Sequence, residues 1–247
     1  MDEKGWGFML KIMASARRRP GMTHAEYCSY ILDVHGALSR AKPLGLARYV
    51  QNHVYDSSFG SIASNDHLGH FHRDSVTELY FQTPADMQRT FSDQYVREVI
   101  APDGRNFAEL ASNATVLTQE TELVRPADSG AGTKILHFLH AAEGLESGAA
   151  QQAWGAAHKL ALEAAPEFAA GLAGAIRSDV IPQANEGPDS HFGGTQESPV
   201  TLVVSLWIAD AAVSDFRSYE QSIIANPAFD AGFSHFLLTR EHCIFTA

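Results

Sequence analysis

The chain has only two cysteines among its 247 residues, Cys28 and Cys243. That is too few for a disulfide framework, and their spacing fits no metal site. Basic residues are also scarce, 18 Lys and Arg against 29 Asp and Glu, for a net charge of −11. A nucleic-acid or anionic-membrane partner would need clustered cations, and the sole basic run, Arg17 to Arg19, reads as solvated arginines beside a turn. No apolar stretch reaches membrane-spanning length, and the opening MDEKGWGF lacks the apolar core of a signal peptide. A cytoplasmic protein is expected, with neither nucleic acid nor membrane as partner. No strand runs into a glycine-rich turn and helix, so a flavin or nicotinamide fingerprint is missing too. What the chain does have is enough apolar composition, 45%, to bury a full core, and twelve histidines, whose charge changes near neutral pH.

In order along the chain, Phe8 to Ala14 reads as a strand and Pro20-Gly21 as a break. Thr23 and Glu26 then form a T-x-x-E capping box that starts a helix. Tyr27, Ile31, Val34, His35 and Leu38 recur at spacings of three and four, which places them on one stripe. Leu46 to Tyr55 is the next strand, followed by a long polar segment, Asp56 to Asp74, of the kind that forms lids. Val76 to Gln82 is a third strand, a helix begins at Pro84, and Thr115 to Val124 is a fourth strand. Strand, helix, strand, strand, helix, strand is the order of a ferredoxin-like unit.

Arg125 to Thr133 has linker composition, and the pattern then repeats. Ile135 to His140 is a strand. Ala149 to Ala165 is a helix with Trp154, His158 and Leu162 in one row. Leu172 to Ile181 and Val200 to Ile208 are strands, Phe216 to Ile224 is a helix, and LTREHCI (238–244) echoes LTQETEL (117–123). The expected division is therefore a first repeat at 1–125, a linker at 126–133 and a diverged second repeat at 134–247. A four-stranded sheet with helices on one face leaves its other face bare, so the fold class expected is α+β: two ferredoxin-like βαββαβ repeats packed sheet to sheet as an α+β barrel.

The run RRPGMTHAEY, the motif VHG at Val34-His35-Gly36, the strand RYVQNHV, the segment DSVTELYF and the tail VLTQETE together resemble the EthD domain, a branch of the dimeric α+β barrel superfamily. The resemblance covers Phe8 to Val124. It implies a pocket between a sheet and its own helices, and a place among cofactor-free oxygenases, polyketide cyclases, dehydratases and decarboxylases. Some superfamily members carry haem, for which His158 or His35 could be the proximal ligand, but the motifs follow the EthD branch and no cofactor is expected. The second half keeps a helix histidine, His158, while Ser178, Asp179 and Val204 stand where the first half has Asn52, His53 and Glu78.

The catalytic candidates are His35, Asn52 and Glu78. His35 lies on the inward helix stripe and could serve as a base; the alternative is a core histidine bonded to a carbonyl. Asn52 is in phase with Val50 and Val54, so its amide could hold an enolate oxygen or satisfy a loop backbone. Tyr49, Gln51 and His53 point the opposite way by alternation, and the Asn52 face is taken as the pocket. Glu78, if buried, needs a raised pKa or a cationic partner; an ion pair with Arg48 or Lys11 is the structural alternative. Substrate contacts are expected from Tyr27, Ile31, Val50, His70, Trp154 and His158; the His67, His70 and His72 loop reads as a plain surface loop or a lid ahead of a metal site. The expected activity is acid-base dehydration, cyclisation or decarboxylation of a small aromatic or polyketide-like substrate. The alternatives are a cofactor-free oxygenase and a non-catalytic metabolite-binding accessory protein, and a homodimer is allowed.

Overall fold

The computed structural model describes residues 9–60, 73–126, 132–181 and 200–247. Eight strands close into an antiparallel barrel in the order β1-β3-β2-β8-β5-β7-β6-β4. They are β1 (Leu10–Ala16), β2 (Leu46–Phe59), β3 (Ser75–Phe81), β4 (Ala114–Val124), β5 (Thr133–His140), β6 (Leu172–Val180), β7 (Val200–Ile208) and β8 (His235–Thr246). The first four run β4-β1-β3-β2 and the last four β8-β5-β7-β6, so both arcs share one internal order. The arcs do not merely stack. Their edges are hydrogen-bonded to each other, β2 to β8 and β4 to β6, and this leaves no edge strand in the barrel among the described residues.

Helices cover the outside of both arcs. On the first, Thr23 caps α1 (His24–Tyr30) through the expected box: its hydroxyl accepts from the Glu26 N–H and the Glu26 carboxylate accepts from the Thr23 N–H. A cap of this kind is worth about 1 kcal/mol. α1 continues through a π-helical turn, Ile31–His35, into α2 (Gly36–Ala41). Next come α3 (Pro84–Ser92), a second π-helical turn at Val96–Ile100, and the single turn α4 (Ala101–Asp103). The second arc carries α5 (Ser147–Ala164), α6 (Pro166–Ala170) and α7 (Phe216–Ile224). Among the described residues no helix is long and apolar enough to cross a membrane.

Strand alternation gives each strand a barrel face and a helix face. Half of the barrel interior is apolar, formed by Met13, Val54, Val76, Val116, Leu136, Phe138, Val203 and Leu237. The other half holds a network of charges. Glu78 pairs with Lys134 at 3.0 Å and Lys11 at 3.8 Å, Glu241 with Lys134 at 2.7 Å and Arg48 at 3.1 Å, and Glu120 with Lys11. Three cations thus meet three carboxylates, as removal from water requires. Burial by itself would push the Glu78 carboxyl up. Lys11 and Lys134 outweigh it and hold the group well below the usual carboxylate range, at about 2.

Candidate functional site

The cavity lies between the first arc and its helices, with about 950 Å³ of empty space counted out into its open mouth. Its floor is low where the helix-facing residues at one end of the β1–β3 pair are small: Ala14 and Ala16 stand beside Thr77 and Ser75. Tyr27, Ile31, His35 and Ser39 form one wall, with Phe107 packed against it, and Phe91, Val96 and Ile100 also line the cavity.

The helix wall is aligned by the π-helical turn. The Gly36 N–H donates to the Ile31 carbonyl five residues back, which widens the turn and keeps side chains four apart in register. Tyr27, Ile31, His35 and Ser39 therefore face inward in a row. Val34 is 43% exposed, a departure from the stripe of mixed three- and four-residue spacing. Gly36 is closely packed: a Cβ there would lie 3.2 Å from the Ile31 carbonyl oxygen, a tight contact, and 3.5 Å from the Ile244 side chain, an ordinary one. A second such turn, closed by the Ala101 N–H on the Val96 carbonyl, carries Val96 and Ile100 of the cavity lining. Turns of this type often mark functional sites.

His35 is tied to Asp103, its Nδ1 lying 2.9 Å from Oδ2. Their side chains are 17% and 9% exposed. Asp103 also accepts from the Tyr30 hydroxyl at 2.7 Å and the Asn106 amide at 2.9 Å. The hydrogen bond from His35, followed by those from Tyr30 and Asn106, overcomes burial and holds the Asp103 carboxyl at about 2. An ionised carboxylate can only accept, so Nδ1 carries a proton. Nε2 is then the free nitrogen of a ring that lines the cavity. Phe107 packs on the imidazole with 4.8 Å between ring centroids, fixing its plane. A histidine held in one tautomer by a buried carboxylate is the arrangement a general base needs.

The remaining expected residues divide between this site and elsewhere. Tyr27 and Ile31 line the cavity; the Tyr27 hydroxyl shares a 2.7 Å hydrogen bond with Ser75. Asn52, Val50 and Glu78 do not reach it. All three point into the barrel, where the Asn52 amide donates to the Val76 carbonyl at 3.0 Å and Glu78 sits among the lysines. The helix-facing residues of β2 are Tyr49, Gln51 and His53. The phase of the strand is lost at a bulge: Leu46 pairs with Phe81 but Arg48 with Tyr80, so Ala47 is an extra residue and Leu46 no longer shares a face with Val50. The barrel interior is apolar as well, so the hydrophobicity of Val50 and Val54 did not separate the two faces. Trp154 and His158 lie on the second arc. There His158 Nδ1 meets the Tyr219 hydroxyl at 2.7 Å and the two rings of Trp154 and His158 stack. His70, with His67 and His72, lies outside the described residues. Among the described residues no group of three or more His, Cys, Asp and Glu side chains is gathered closely enough to hold a metal ion.

Asp103 was not singled out from the sequence. It is 68 residues from His35, in an Ala-Pro-Asp-Gly stretch that looks like an ordinary turn. The local signal was an acidic residue following an apolar helix, which identifies no partner.

The architecture and this site define an α+β barrel with a buried histidine-carboxylate pocket on one side. Residues 19–111, which contain the helix wall, His35 and Asp103, match the family model of the EthD domain. The chain is 25% identical over 122 residues to the conidial pigment biosynthesis dehydratase EthD of Metarhizium robertsii, a match covering 44% of this chain and 80% of that protein. Among solved structures, chlorite dismutase from Candidatus Nitrospira defluvii in complex with imidazole superposes with a TM-score of 0.51 at 9% identity, over 94% of this chain and 90% of that one. A Fusobacterium nucleatum protein named provisionally as a monooxygenase gives 0.52 at 4% identity, over 96% and 93%. At such identities the structural likenesses establish the fold alone.

Proposed function

We propose that this chain is an acid-base enzyme of secondary metabolism that dehydrates a small aromatic or polyketide-like ketone and requires no cofactor. The observation that carries the proposal is the His35–Asp103 pair in the cavity; the dehydratase name of the Metarhizium relative supports the choice of reaction. His35 Nε2 takes the proton from the carbon next to the substrate carbonyl, and the resulting electron pair forms an enolate. Hydroxide leaves the β-carbon and recovers the proton from His35 as water. The lost water leaves a double bond that lets the ring become aromatic. Asp103 keeps the imidazole oriented and stabilises its positive charge while it holds the proton. The mostly apolar walls keep polar partners few around the enolate, which strengthens the hydrogen bonds made to it.

The same reading takes residues 1–125 and 134–247 as two copies of one ferredoxin-like unit joined at 126–133, with activity in the first. The shared strand order of the two arcs supports it. The barrel closes within one chain, so a homodimer would add contacts outside the site.

The test uses 3-hydroxy-1-tetralone, a fused-ring β-hydroxyketone that loses water to give fluorescent 1-naphthol. The protein should accelerate this loss over buffer, and His35→Ala should lower turnover at least about 100-fold while still binding 1-naphthol. Unchanged turnover in His35→Ala would refute the proposal. Saturable 1-naphthol binding without acceleration would replace it with the accessory-protein reading, and oxygen consumption with the oxygenase reading.

A further inference from the structure

On the floor of the cavity, facing the helix that carries His35, is a buried phenol whose hydrogen bonds have a fixed direction. The Gln51 amide nitrogen lies 2.7 Å from the Ile31 carbonyl oxygen and 2.8 Å from the Tyr49 hydroxyl. A carbonyl can only accept, so this end of the amide must be the NH₂ group. Both of its protons are then used, one on Ile31 and one on the Tyr49 oxygen. The other end, Gln51 Oε1, accepts from His53 Nε2 at 3.1 Å, which requires the proton of His53 to be on Nε2. With the Gln51 amide donating to its oxygen, the phenol has its own O–H left to give, and Tyr49 lines the cavity.

We infer that Tyr49 is the catalytic hydrogen-bond donor to the substrate carbonyl, its direction set by the Ile31–Gln51–His53 chain. The inference rests on the proposed function for its chemistry, with His35 removing the proton on one side while Tyr49 receives the oxygen on the other. Burial pushes the Tyr49 phenol up to about 12, so it remains a donor throughout the neutral range. The enolate charge develops on the carbonyl oxygen, so this hydrogen bond is stronger in the transition state than in the ground state, which is the condition for raising kcat. Gln51 also ties donor to base: its second proton is held by Ile31, the first residue of the π-helical turn that ends at His35. Gln51 and His53 are positioning residues, because neither lines the cavity.

The experiment reads the bond directly. With carbonyl-labelled 1-tetralone, which binds without reacting, the C=O stretch of the bound ketone should move to lower frequency in wild type and equally in His35→Ala. It should return to its apolar-solvent value in Tyr49→Phe, which keeps the ring and removes only the hydroxyl. In the 3-hydroxy-1-tetralone assay Tyr49→Phe should lose about 100-fold in kcat with little change in KM. Gln51→Leu, which leaves the phenol free to rotate, should show a broadened carbonyl band. A carbonyl frequency unchanged by Tyr49→Phe, or no ketone binding by wild type, overturns the inference. A frequency that moves as expected while His35→Ala keeps full turnover would remove the base assignment and leave the donor standing.

Discussion

The two arcs of the barrel carry the same strands in the same order and a histidine on the covering helix, yet one side is hollow and the other filled. The difference is in the floor. Where β1 and β3 place Ala14, Ala16, Thr77 and Ser75 beneath the helices, the corresponding positions of β5 and β7 are His137, Leu139, Val204 and Leu202; Val204 thus matches Thr77, and Ser205, not Val204, stands where the first arc has Glu78. The larger residues pack against Trp154, Phe168, Phe216 and Tyr219. His158 is left among rings, bonded to a neutral phenol, whereas His35 has an ionised carboxylate and an open edge. A conserved architecture can thus hold a site or a core according to four side-chain volumes and one acidic residue.

The largest test of this contrast is to remove each histidine in turn. His35→Ala should lose at least about 100-fold in turnover of 3-hydroxy-1-tetralone, while His158→Ala should keep its rate; equal losses would mean that both sides are catalytic. Trp154→Ala should cost about 3–5 kcal/mol in urea unfolding and hollow the filled side, so that calorimetry counts a second equivalent of 1-naphthol bound but no added turnover. A stoichiometry unchanged from wild type would show that the floor, not the tryptophan, closes that side.

Asp103→Asn should lower turnover about 10–100-fold, the cost seen when a partner that orients an imidazole is removed. It also has a pH signature. The carboxyl is held at about 2 in the folded protein against about 3.9 unfolded, so the unfolded chain binds the proton first. The stabilisation is complete above the unfolded value and is lost as pH falls from there to about 2. The stability gap between wild type and Asp103→Asn should close over that window.

The smallest effect belongs to the filled side. His137 is fully buried, and burial, with the nearby His235 and Arg217, depresses its pKa to about 3. Its contribution is present above the unfolded pKa near 6.5 and declines as pH falls below it. His137→Leu should flatten the stability curve between about pH 6.5 and 3, and an unchanged slope would show that His137 is not the group titrating there.

Much of this was readable in the chain. The capping box at Thr23, the strand and helix order and the inward placement of His35, Tyr27 and Ile31 follow from local chemistry and periodicity, because each depends on residues within a turn or two of one another. The sequence also contained Glu78 and its alternative as a partner of Lys11, though nothing local indicated Lys134 from the other arc. Three things were decided only by tertiary structure. One extra residue at Ala47 set which face of β2 meets the helices, since strand phase is a count that a bulge resets, and Tyr49 replaced Asn52 at the site. Chain closure brought Asp103 to His35 across 68 residues, a pairing with no periodicity to reveal it. The cavity itself is a difference of volumes between opposed surfaces, and a volume left unfilled has no residue of its own to be read.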